Sequence, residues 1–226
     1  MTRKSVVASP PQGSEGERSN WVIDTEGLPL EDLKPFSWTE VFGSDKPLRV
    51  EIGVGNSPFL MEVSRRAPDF NYVGFEYSQK RVVKFLKMVR AAGLSNIRML
   101  RLNASLVLDG IFTPGTIDHF YINHPDPWPK RRHAKKRFVV PSNARKMQLL
   151  LRSGGALSLR TDFPTYAQQI LDVLDGTEGL TNLAGRGNFA LSPIESFATP
   201  YENKFRKAGR QIYYLEYAKD HEPPTR

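Results

Sequence analysis

The sequence predicts an α/β protein built on a doubly wound, mostly parallel sheet. Three observations carry this. From residue 48 onward, short apolar strands alternate with helical segments, the pattern of successive βαβ units. About 170 residues carry that pattern, too few for the eight units of a closed barrel. Polar residues recur at the carboxyl end of one strand after another, where open α/β sheets bind ligands.

Residues 1–20 are rich in Ser, Pro, Gly and charge without periodicity, which predicts a disordered N-terminal arm. Residues 21–47 read as an extension packed on the domain through Trp21, Trp38 and Phe42. The main domain is expected over 48–220, with 221–226 as a tail. Within it, 48–53 (LRVEIG) reads as a buried strand, followed by a turn through Gly55. A short helix then starts with Ser57 as cap and Pro58 in its first turn. Residues 71–76 form a second strand. Ser78 caps the next helix, whose apolar stripe is Val82, Phe85, Leu86 and Val89 and whose stop is Gly93. Strands follow at 97–102 and 116–122. A helix is expected at 143–152, ended by Gly154 and Gly155, then a strand at 156–160 and a helix at 163–174 facing Tyr166, Ile170, Leu171 and Leu174 inward. The last strand candidate is 210–218 (RQIYYLEYA).

Composition narrows the chemistry. The 226 residues include no cysteine, which excludes disulfides, thiolate metal sites and cysteine nucleophiles. There is no apolar run of membrane-spanning length and no secretory h-region at the N-terminus, so a cytoplasmic protein with no membrane partner is expected. The net charge is +8, and its whole excess lies between Trp128 and Met147, in Lys130, Arg131, Arg132, Lys135, Lys136, Arg137, Arg145 and Lys146. A neutral body with one cationic strip points to a polyanionic partner. Lys204, Arg206, Lys207 and Arg210 form a weaker cluster, read either as an extension of that footprint or as a solvated loop.

The strand-end residues are Glu51 with Gly53 and Gly55, then Glu76, Asn103, the run from Asn123 to Trp128, and Thr161 with Asp162. A dinucleotide fingerprint needs a third glycine where Pro58 stands, and no phosphate-binding P-loop occurs. Glu76 is placed for two ribose hydroxyls, Asn103 and the Ala104 backbone for an adenine edge, and Glu51 for an ammonium group. An adenosine joined to a cationic amino acid without phosphate fits S-adenosyl-L-methionine. His119, His124, His133 and His221 offer no convincing ligand pair, and no metal is expected.

The run from Tyr121 through Asp126, Pro127, Trp128, Pro129, Lys130, Arg132 and His133 to Lys135, Lys136 and Arg137 resembles the D-P-W-x-K-x-R-H signature of the tRNA (guanine-N7)-methyltransferases, the TrmB family. Thr161-Asp162 and the segment from Thr199 through Pro200, Tyr201 and Glu202 to Phe205 resemble that family's later motifs in the same order, so the likeness spans roughly 48–218. The resemblance implies a Rossmann-like sheet of the class I S-adenosylmethionine-dependent type with an antiparallel C-terminal strand. It implies that Glu51, Gly53, Gly55, Glu76, Asn103, Ala104 and Asp126 line the methyl-donor site, with Asp126 as the catalytic carboxylate. Lys130, Asp162, Thr199, Tyr201 and Glu202 would meet the substrate, and Arg132, His133, Lys135, Lys136 and Arg137 would grip RNA. The implied substrate is the guanosine at position 46 in the variable loop of tRNA, methylated at N7 by a monomer or homodimer. The chain departs from the family pattern at Ser57, where a third glycine is usual, and at Asn103, where Asp is usual.

Guanine N7 has a free lone pair and no proton, so methylation needs positioning and negative charge, not a base. Asp126 and Glu202 are expected on the Watson–Crick edge, and Trp128 either stacks on the base or covers the cleft floor. Pro125, Pro127 and Pro129 are expected to hold Asp126 and Trp128 extended. Two other readings compete: a methyltransferase acting on an exocyclic amine, and a non-catalytic RNA-binding protein on the same fold.

Overall fold

The computed structural model describes residues 22–23, 34–195 and 199–221. The expected disordered arm, Trp21 and residues 222–226 lie outside the described residues. The elements are β1 (Val22–Ile23), α1 (Trp38–Phe42), β2 (Leu48–Ile52), α2 (Phe59–Arg66), β3 (Asn71–Phe75), α3 (Gln79–Ala91), β4 (Ile97–Leu100), α4 (Ala104–Ile111), β5 (Ile117–Asn123), α5 (Pro141–Leu150), β6 (Leu151–Thr161), α6 (Pro164–Asp175), β7 (Leu180–Asn182), α7 (Pro200–Lys207) and β8 (Tyr213–Lys219). The described strands form one sheet in the order β1-β4-β3-β2-β5-β6-β8-β7. Strands β1 to β6 pair in parallel, and β8 runs antiparallel to both β6 and β7.

Both faces of the sheet are covered, which is why its central strands read as continuous apolar runs. Trp38, Leu108, Met147 and Ile170 bring α1, α4, α5 and α6 onto one face. Phe59, Leu60, Phe85 and Val89 bring α2 and α3 onto the other. The predicted stripe of α3 is buried at all four positions. Trp38 stacks on Phe112 at 5.1 Å and donates its indole N–H to the Ile111 carbonyl at 3.2 Å, which ties α1 to the end of α4.

Several elements depart from the reading above. Helix α4 was not foreseen: its sequence, ASLVLDGI, is short and rich in Leu, Val and Ile, so nothing but the cap residue Asn103 separates it from a strand. The short elements α1, β7 and α7, and the 3-10 segment Arg131–Lys136, were also not anticipated. Helix α5 starts two residues earlier than expected, with Pro141 in its first turn, and ends at Leu150. Gly154 and Gly155 do not stop it. They lie inside β6, where the register against β5 slips between Ile117 and His119. A Cβ on Gly155 would sit 2.9 Å from the Arg152 carbonyl and 3.1 Å from the Asp118 carbonyl, so only glycine fits that close backbone approach. Among the described residues, no helix is long and apolar enough to cross a membrane.

Candidate active site

The chain runs β2, β3, β4 to one side of the sheet and then crosses back to place β5 on the other side of β2. Such a reversal opens a crevice at the carboxyl ends of the two central strands. A cleft of about 720 Å³ lies there, and Glu51, Glu76, Asn103, Asp126 and Asp162 all line it.

The β2–α2 turn forms one wall. Gly53 and Gly55 have φ of +80° and +62°, a backbone that side-chain-bearing residues rarely adopt. A Cβ at Gly53 would meet no atom within 4 Å, so the chain leaves open space there. Glu76 fixes the turn: Oε2 accepts from the Gly55 N–H at 3.0 Å and Oε1 from the Ser78 N–H at 2.7 Å. A carboxylate has about four acceptor sites, so two remain for a ligand. Ser57 is buried, and its Oγ caps the Phe59 N–H at 3.2 Å.

Glu51 is fully buried on β2. Its Oε1 accepts from the Asn123 side-chain amide at 2.9 Å, while Oε2 has no hydrogen-bond partner among the described residues. Burial pushes its pKa up to about 8, against the opposing hydrogen bond from Asn123 and the charge of Arg160. Asn103 sits at the N-terminus of α4, where its Oδ1 already accepts from the Ser105 N–H at 3.1 Å. One lone pair of that oxygen therefore remains for an adenine amine. Ala104 follows it along the cleft wall.

The loop from His124 to Trp128 forms the opposite part of the site. His124 and Trp128 have φ of +49° and +43°, the positive-φ non-glycine residues among those described. They bracket Asp126, which is exposed in the cleft. Trp128 is therefore left-handed, not extended as the prolines alone suggested. Strain of this kind persists where surrounding contacts over-determine it. Here the Arg137 Nε donates to the Pro127 carbonyl at 2.8 Å, and the His124 N–H donates to the Arg160 carbonyl at 2.8 Å. Lys136 Nζ lies 4.8 Å above the Trp128 ring, and His133 meets that ring edge-on at 5.8 Å.

Two expected contacts are placed differently. Arg137 donates to Pro127 and to the Gln169 side chain, and its guanidinium packs 4.8 Å from the Tyr166 ring, so it braces the Asp126 loop and is not a free phosphate ligand. Glu202 is buried and not among the cleft-lining side chains. Its Oε2 accepts from Arg160 at 3.1 Å, and its Oε1 from Arg206 at 2.7 Å and from the Tyr214 hydroxyl. That carboxylate is occupied and closed off from an incoming base. Burial acts to raise its pKa, but the Tyr214 hydrogen bond and the Arg160 charge outweigh this and hold it below the ordinary carboxylate range.

Thr199 and Tyr201 do line the cleft. Thr199 is buried and caps α7 by accepting from the Glu202 N–H at 3.1 Å. Asp162 follows β6 and accepts from Arg210 at 2.7 Å, with His124 Nδ1 at 3.9 Å. Burial holds the His124 pKa below its ordinary value, against the charges of Asp162 and Glu202. Lys130, Arg132 and Lys135 are exposed beside the 3-10 segment, outside the cleft, whereas Lys136 reaches its edge. Sequence reasoning missed Arg160, a cation at the carboxyl end of β6, and it gave no role to Tyr77 or Arg81, which line the cleft beside Glu76.

The cleft thus offers a buried acid with one unpartnered oxygen, an open glycine turn and a fixed carboxylate with spare acceptor sites. That donor set fits an amino acid ammonium and a ribose. Among the described residues, no group of three or more His, Cys, Asp or Glu is arranged to hold a metal ion.

A family model described as "Putative methyltransferase" matches residues 45–215. A tRNA (guanine-N(7)-)-methyltransferase of Ectopseudomonas mendocina (strain ymp) is 33% identical, covering 96% of this chain and 91% of that protein. One of Leifsonia xyli subsp. xyli (strain CTCB07) is 37% identical, covering 78% of each. Among solved structures, the 16S rRNA methyltransferase KamB aligns with a TM-score of 0.57 at 12% identity, covering 81% of this chain and 92% of that one. The aminoglycoside resistance methyltransferase NpmB1 aligns with a TM-score of 0.54 at 16% identity, covering 85% and 94%. These two likenesses concern the fold.

Proposed function

We propose, for a chain that belongs to the tRNA (guanine-N7)-methyltransferase family, that its cleft methylates N7 of the guanosine at position 46 in the variable loop of tRNA. The observation that carries this reading is the convergence of Glu51, Glu76, Asn103, Asp126 and Asp162 on one cleft at the sheet's reversal point.

S-adenosyl-L-methionine supplies an electrophilic methyl group on a sulfonium. Glu51 holds its ammonium through the unpartnered Oε2, Glu76 accepts from the ribose hydroxyls, and Asn103 with Ala104 meets the adenine. Methyl transfer breaks the carbon–sulfur bond and forms a carbon–nitrogen bond to the N7 lone pair. No proton leaves the nucleophile, so no base is required. Positive charge passes from sulfur to the guanine ring. Asp126, held between two left-handed residues and free of hydrogen-bond or ion-pair partners among the described residues, presents negative charge to that ring. Asp162 accepts from guanine N–H donors on the Watson–Crick edge, the role the sequence suggested for Glu202.

Lys130, Arg132, Lys135 and Lys136 hold phosphates, which gives affinity that falls with salt and carries little sequence information. The protein works in the cytoplasm, as a monomer or homodimer. The test is incubation of the purified protein with unmodified tRNA and labelled S-adenosylmethionine, followed by nucleoside analysis and site mapping. 7-Methylguanosine at position 46 is expected. A methylated exocyclic amine, another position, or no transfer would overturn the reading.

A further inference from the structure

We propose that Arg210 exchanges partners when RNA binds: it neutralises Asp162 in the free protein and moves to a substrate phosphate in the complex, leaving Asp162 as an uncompensated carboxylate beside the base. This rests on the tRNA-modifying reading above. Arg210 Nη1 donates to Asp162 Oδ2 at 2.7 Å, and both residues line the cleft. The pair is lopsided: the Arg210 side chain is 58% exposed and that of Asp162 is 14% exposed. The carboxylate belongs to the wall and the cation to the mouth. An ion pair with an exposed member is weak and readily traded.

The root of Arg210 is fixed while its guanidinium stands exposed at the cleft mouth. Its backbone N–H donates to the Phe205 carbonyl at 2.9 Å, and Gly209, with φ +70°, sets the turn before it. Its guanidinium lies 5.3 Å from the Phe205 ring. Lys204 and Lys207, in the last turns of α7, are exposed and have no ion-pair partner among the described residues. Arg210 thus presents a guanidinium at the cleft mouth, where a phosphate would arrive, with Lys204 and Lys207 on the helix just before it. A phosphate accepts two parallel N–H bonds from a guanidinium, as a carboxylate does, so it competes directly with Asp162.

Among the described residues, no Lys or Arg other than Arg210 pairs with Asp162. The neighbouring His124 ring is buried, with neither nitrogen hydrogen-bonded among the described residues, and burial disfavours its charged form. Once Arg210 leaves, Asp162 carries full negative charge next to a base that becomes cationic. The exchange therefore delivers negative charge to the site only when RNA occupies it.

Binding of unmodified tRNA is measured by fluorescence anisotropy over a salt series for the wild type, Arg210→Ala and Arg210→Lys, with kcat and KM for tRNA in parallel. Arg210→Ala is expected to weaken binding about three- to tenfold and to lower the slope of log Kd against log salt by about one. The loss falls on KM more than on kcat. Arg210→Lys regains the slope and part of the affinity. An unchanged slope together with a fall in kcat means that Arg210 stays on Asp162 as a structural brace, and overturns the exchange. Absence of salt-dependent tRNA binding in the wild type would instead remove the functional reading itself.

Discussion

Asn123 donates its side-chain amide to Glu51 Oε1 across 2.9 Å, joining the carboxyl ends of adjacent parallel strands and leaving Glu51 Oε2 buried without a hydrogen-bond partner among the described residues. Burial raises the Glu51 pKa to about 8, far above the range of an unfolded glutamate. The sign follows directly. Between roughly pH 4.5 and pH 8 the unfolded chain has lost this proton while the folded protein keeps it, so the group costs stability increasingly as pH rises. Glu51→Gln removes the titration. In the ligand-free protein it is expected to be more stable than the wild type by an amount that grows with pH across that window. Urea melts at several pH values check this; a difference independent of pH would contradict it. The same variant should bind S-adenosylhomocysteine more weakly, because the carboxylate that meets the ammonium is gone.

Asp126 differs from Glu51 in being exposed and held by its loop instead of by a partner. Asp126→Ala and Asp126→Asn are both expected to lower kcat by about 10²–10³, the usual effect of deleting a preorganised electrostatic group. Affinity for tRNA should hardly move, since phosphate contacts elsewhere dominate it. Agreement of Asn with Ala would assign the loss to charge, because the amide keeps the shape. Single-turnover methylation combined with equilibrium binding separates the two quantities, and a tRNA affinity that fell in parallel with kcat would refute the assignment.

The strand pattern and the polar strand ends were legible because both follow from local rules. Alternation of buried strands with amphipathic helices placed β2 to β6, and the topological rule then placed Glu51, Glu76, Asn103, Asp126 and Asp162 on one rim. What stayed hidden depends on side-chain pairing across distant segments. Nothing in the charge run sets Arg137 apart from Arg132, yet Arg137 folds back onto the Pro127 carbonyl ten residues before it. Glu202 reads like a free carboxylate until Arg160, 42 residues away, is brought against it. The two left-handed residues around Asp126 were equally out of reach, because a residue before proline is ordinarily expected to be extended.

That hidden pairing divides the basic segment in two. Arg132→Ala with Lys135→Ala removes exposed cations and is expected to weaken tRNA binding and lower its salt slope by about two, with folding unaffected. Arg137→Ala removes the brace between Pro127, Gln169 and Tyr166. It should cost about 1–3 kcal/mol of stability and reduce kcat by loosening the Asp126 loop, while leaving the salt slope near that of the wild type. Thermal melts and salt titrations on the same preparations test the division. If Arg137→Ala behaved like the Arg132/Lys135 double variant, the bracing role would be wrong.

Glu202 supplies the clearest contrast between a structural and a contact role. Its carboxylate joins Arg160 on β6 to Arg206 and Tyr214, and so fastens α7, which carries Tyr201, to the sheet. Glu202→Ala would remove one acidic partner of the buried Arg160 guanidinium, an effect worth about 3 kcal/mol. The depressed pKa of Glu202 means that this stabilisation is complete above the ordinary carboxylate range and is lost as pH falls through the folded-state value. Activity in Glu202→Ala should therefore fall together with the urea midpoint, and the gap in stability from the wild type should close in acid. A contact to the guanine edge would give the opposite result: activity lost with the midpoint unchanged at neutral pH. The conservative Glu202→Gln variant, which can still accept from Tyr214 and Arg160 but carries no charge, should lie between the two in stability and retain measurable methyl transfer.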